Sequence, residues 1–98
     1  MTRITTHPGE ILREEFMIPL GLSANALARA LNVPPNRITA IIAAEHPRAI
    51  TPDTALRLSR YFGTTPELWL NLQQAYDLSA TIVQQGAEIN AAVQPRAA

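Results

Sequence analysis

The chain contains no cysteine and no lysine, no net charge of either sign, and aromatics at only 5% of its 98 residues. Without cysteine, disulfides and thiolate chemistry are excluded. The two histidines, His7 and His46, stand apart from any carboxylate or cysteine partner, so neither a metal set nor a cofactor is expected. No run of about 18 apolar residues offers a membrane span, and the N-terminus lacks the basic-then-apolar layout of a secretory signal. A cytoplasmic protein with no membrane partner is expected. Every basic residue is arginine, a bias that genomic base composition produces as readily as a demand for forked donors. Glu14 and Glu15 are adjacent, point to different sides of a helix and form no acid–base pair, and no other catalytic constellation stands out. No enzyme is expected.

What is present is enough apolar material, 47% of the chain, for one modest core. Zero net charge argues against a generic nucleic-acid binder, but the charges are unevenly placed: residues 23–60 carry Arg29, Arg37, Arg48, Arg57 and Arg60 against Glu45 and Asp53, while both flanks lean acidic. The punctuation predicts five helices and no strand. "HPGEILREEFM" opens with Pro8 and Glu10 in a first turn and puts Leu12 and Phe16 on one face; "PLG" at 19–21 is expected to end it. Ser23 is a candidate N-cap for "ANALARAL". Pro34 and Pro35 then break one helix and start the next, which is expected to run from Pro35 to about Ala44 with Ile38, Ile41 and Ile42 inward. In "AITPDTALRLSRYFG", Thr51 caps, Pro52 opens, Asp53 pairs with Arg57 at i,i+4 and Gly63 stops the helix. "TTPELWLNLQQAYDL" repeats the device with Thr65 and Pro66, and its Trp69 and Tyr76 read more readily as core than as a partner patch. After Leu78 the pattern thins to Ile82, Ile89 and Val93, interrupted by Gly86. The division expected is a domain over 1–78 and an extension over 79–98, partly helical or disordered.

The second and third helices fit a helix-turn-helix. Two steeply crossing helices need a small residue at closest approach and apolar plugs around it, places filled by Ala28 and by Leu31, Val33, Ile38 and Ile41. Asn32 takes the turn position where a left-handed backbone is required. With proline in both leading places the third helix has no side-chain cap, so the N–H groups of Asn36 and Arg37 are expected to be unpaired donors that an anion, or water, satisfies. Asn36, Arg37, Thr39 and Ala40 lie near the start of that helix and outside its apolar stripe, and are the candidate base readers; Ser23, Asn25 and Arg48 are placed for phosphates. One such helix reads too few base pairs for an operon-specific site, so a homodimer is expected, with the Trp69 helix or residues 79–93 as its seam.

The strings "PGEIL", "VPPNRI", "ITPDTALRL" and "WLNLQ", in that order across residues 7–78, resemble the HigA-type addiction-module antitoxins of the Xre/Cro helix-turn-helix group. That resemblance implies an all-α, five-helix, lambda-repressor-like domain with a short C-terminal extension. It also implies a dimeric protein that binds double-stranded operator DNA, represses its own operon and neutralises a RelE- or HigB-like mRNA endonuclease. One departure is visible: family members leave the third helix by a short Asn-Gly-Lys-Arg-like turn, whereas this chain has "AAEHPRAI", longer and without the glycine. Arg48 corresponds to the family's arginine there. Two alternatives remain: a stand-alone helix-turn-helix regulator without a toxin, and an interaction module that has lost DNA binding, which the altered loop and zero net charge motivate.

Overall fold

The computed structural model describes residues 3–97, and among them there is helix but no strand. The first helix, α1, spans residues 8–20 without a break. It is α-helical over Pro8–Ile11, π-helical over Leu12–Met17 and α-helical again over Ile18–Leu20. Four more follow: α2 (Ala24–Leu31), α3 (Pro35–Ile41), α4 (Pro52–Phe62) and α5 (Pro66–Ala92). Side-chain caps start most of them. Ser23 accepts from the Ala26 N–H, Thr51 from that of Thr54 and Thr65 from that of Leu68, while His7 does the same for α1 through Nδ1 and the N–H of Gly9 at 2.8 Å.

The expected stop of α1 at residues 19–21 holds, though not through its proline, and two later boundaries differ from the sequence reading. Pro19 does not end α1. The turn before it is wound in the π register, with the Ile18 N–H donating to the carbonyl of Arg13, and a wider turn accommodates the proline ring. The stop comes at Gly21, at φ 65°. Helix α3 ends at Ile41, short of the expected Ala44, because the Ala40 carbonyl accepts from the N–H of Arg48 at 2.9 Å, where a continuing helix would use the N–H of Ala44. Helix α5 passes residue 78 and Gly86 unbroken to Ala92.

The core joins all five helices: Leu12 and Met17 of α1, Leu27, Ala28 and Leu31 of α2, Ile38 and Ile41 of α3, Ala55 and Leu58 of α4, and Trp69 of α5. Trp69 is fully buried, its ring 5.1 Å from that of Phe16 and its Nε1 donating to the Thr64 hydroxyl at 2.8 Å, so the core reading of this residue holds. Tyr76 is half-buried, edge-to-face with His7 at 4.8 Å. Beyond Ser79 the residues of α5 are mostly exposed, and the molecule is long, 53 × 26 × 22 Å. No helix among the described residues is long and apolar enough to cross a membrane.

Candidate nucleic-acid interface

Helices α2 and α3 meet as the helix-turn-helix pattern requires. Ala28 is fully buried where they cross, and Leu31, Ile38 and Ile41 close around it with Val33 packed against the group. Asn32 adopts φ 58°, ψ 49°, its N–H reaching the carbonyls of Ala28 and Arg29, and the Val33 N–H also donates to Ala28 at 2.9 Å. This paired closure ends α2 in one residue and turns the chain into Pro34. Pro34 is extended, at φ −64° and ψ 144°, and no side chain caps α3. The Arg37 N–H is not an unpaired donor, however: it donates to the Pro34 carbonyl at 3.0 Å, in the tight i→i−3 geometry that helix ends favour.

The seven candidate side chains are not equivalent. Asn36 is exposed, and Thr39 beside it turns its hydroxyl back to the Asn36 carbonyl at 3.3 Å. Ala40 is half-buried and lends its carbonyl to Arg48. Ser23 is occupied as a cap, and Asn25 lines a groove of about 580 Å³ together with Arg29, Asn32 and the two prolines of the turn. Arg37 and Arg48 come together, lining one cavity of about 250 Å³ with Thr51 and Thr54 at the start of α4.

Sequence reading missed what holds Arg37. Its Nη1 donates to Asp53 Oδ2 at 2.5 Å, and the same oxygen accepts from Arg57 Nε at 3.0 Å. Arg57 in turn donates through Nη1 to the carbonyls of Leu31 at 2.9 Å and Asn32 at 3.3 Å, the last carbonyls of α2. The Asp53–Arg57 pair was legible from its i,i+4 spacing; the link to Arg37, sixteen residues away, was not. These bonds, from Arg57 first and Arg37 second, hold the Asp53 carboxyl below its usual range, so it is charged at neutral pH.

Two other residues support the interface from behind. Gly9 sits where α1 meets the end of α3: a Cβ there would lie 1.9 Å from the Ile41 carbonyl oxygen, so only glycine allows this approach. Gln73 is buried in α5, its Oε1 accepting from the Ile50 N–H at 2.8 Å and its Nε2 donating to Asp77 at 3.0 Å, which fixes the far end of the 43–50 loop. Within that loop His46 takes φ 50°, the left-handed conformation that a glycine would adopt without strain.

A helix-turn-helix family model matches residues 12–69. Virulence-associated protein I of Dichelobacter nodosus is 62% identical over 72 residues, which are 74% of this chain and 65% of that protein; the chain thus spans just under two thirds of this relative's length. Among solved structures, the Pseudomonas aeruginosa antitoxin HigA with the higBA promoter is 41% identical, with a TM-score of 0.87 over 97% of this chain and 100% of that one. The antitoxin GraA in complex with its operator is 47% identical, with a TM-score of 0.91 over 100% of this chain and 97% of that one.

Proposed function

The chain belongs to the helix-turn-helix family, and from that premise we propose that it is an antitoxin that represses its own operon in the cytoplasm. As a homodimer it binds double-stranded operator DNA through α2 and α3, and it neutralises a HigB-like mRNA endonuclease. One observation carries this reading. The buried Ala28 crossing presents Asn36, Arg37 and Thr39 on the outer face of α3, and the same fold in two related antitoxins is solved with promoter or operator DNA.

On this reading α3 enters the major groove with Asn36, Arg37, Thr39 and Ala40 at base edges, while Ser23, Asn25 and Arg48 fix its register on phosphates. The toxin engages a face formed away from α3, which lets the complex remain a repressor. The dimer seam is the outer half of α5, where Leu78, Ile82, Ile89 and Val93 recur at helical spacing and are 58%, 42%, 44% and 66% exposed.

The test is co-expression with the product of the neighbouring reading frame, followed by a gel-shift on the duplex upstream of the pair. A stoichiometric complex that still retards the duplex supports the proposal. Retardation with no captured partner would leave a stand-alone regulator, and capture without retardation an interaction module.

A further inference from the structure

Asp53 stands at the second position of α4, outside the helix-turn-helix, yet it is bonded to the only charged residue of α3. A continuous series of contacts leads from the carbonyls that end α2, through Arg57 and Asp53, to Arg37. We propose that Asp53 holds Arg37 in reserve by competing with nucleic acid for its guanidinium, so that a base edge which binds Arg37 better than the carboxylate does draws it away and a phosphate does not. The inference rests on the reading above that α3 enters the major groove.

An unrestrained arginine on a recognition helix takes the nearest phosphate, releases a counterion and adds affinity that carries no sequence information. A carboxylate already in place offers Arg37 the same kind of partner that a phosphate does, so on random DNA the exchange gains little. At the right base pair, two acceptors such as O6 and N7 of guanine meet the guanidinium in a bidentate arrangement, which one carboxylate oxygen does not match. Arg57 makes the exchange possible. When Arg37 leaves, Asp53 keeps its bond to Arg57 and is not left as a bare anion facing the phosphate backbone. The pair is well placed for this role because it is accessible, with 34% of the Arg37 side chain and 55% of Asp53 exposed, and can open without unpacking the core.

Asp53→Asn keeps the shape and an acceptor for Arg57 while removing the charge. Affinities are measured over a salt series on the duplex upstream of the chain's own frame and on a scrambled copy. Glu67→Gln, an equal charge change at the exposed start of α5, is the control, and Arg37→Ala provides the second background. Asp53→Asn is expected to bind the scrambled duplex about tenfold more tightly, with a salt slope steeper by about one, and to tighten upstream-duplex binding at least as much, because that complex no longer has to break the Arg37 bond. In the Arg37→Ala background the same substitution should change neither duplex by more than Glu67→Gln does. If Asp53→Asn melts too low to assay, Asp53→Ser replaces it with the same expectations. Upstream-duplex binding that tightens no more than for Glu67→Gln, or an effect that persists without Arg37, would overturn the inference alone. An unmutated protein that does not prefer the upstream duplex would overturn the functional reading and this inference with it.

Discussion

Arg37 and Arg48 line one cavity and carry the same charge, but only Arg37 stands on α3, and it is already held by Asp53. Their removal should therefore have different consequences. Arg37→Ala is expected to cost about 1 to 3 kcal/mol on the operator and much less on random DNA if, as proposed, it contributes at a base edge. Arg48→Ala should weaken both and reduce the salt slope by about one, as loss of a phosphate contact does. A gel-shift series with operator and scrambled duplexes separates the two, and equal losses on both for Arg37→Ala would reverse the assignment. His7 is the other residue whose chemistry is set by its surroundings. Burial pushes its imidazole below the ordinary value, with Asp77 pulling weakly the other way, and the Nδ1 that caps Gly9 must stay unprotonated to accept. The sign follows: a proton binds the unfolded chain more readily, so stability is full above about pH 6.5, the unfolded value, and is lost as pH falls below it toward the lowered folded value. Thermal melts from pH 8 to 5.5 should show this fall, and His7→Asn, which can cap without titrating, should flatten it whatever its absolute stability.

At the scale of elements, α1 acts as the brace of α3. Gly9→Ala places a methyl group against the Ile41 backbone, which has no rotamer to move aside, and it is expected to destabilise the fold by about 2 to 3 kcal/mol, read as a drop in melting temperature of roughly 10 °C or more. A melt within a degree or two of the unmutated protein would show that α1 is not held there. The same contact explains what was legible in the sequence. The caps at Ser23, Thr51 and Thr65 and the left-handed turn at Asn32 were readable because each depends on residues within three or four positions. Gly9, the Arg37–Asp53 bond and Gln73 at Ile50 were not, because each is imposed by a partner that only folding brings close. Pro19 misled for a related reason: the rule that proline stops a helix assumes the α register, and the preceding turn is π. The loop lacking glycine still makes its left-handed turn, at His46.

At the scale of the molecule, the two candidate seams in the sequence, the Trp69 helix and residues 79–93, are parts of one 27-residue helix. Its inner half is core and its outer half carries the exposed apolar stripe, which favours the outer half as the contact between copies. Ile82→Asp combined with Ile89→Asp should give a monomer at tens of micromolar by sedimentation while leaving the Trp69 core and the melting of the domain nearly unchanged. A dimer that survives both charges would place the seam elsewhere. A continuous helix also behaves as a lever. From Trp69 to Val93 it reaches about 36 Å, so a tilt of about 10° at the buried end displaces the far end by about 6 Å, nearly two base-pair steps. In the proposed dimer, the aromatic contacts of Phe16, Phe62 and Trp69 thereby become the fulcrum that sets which half-site separations the pair can span.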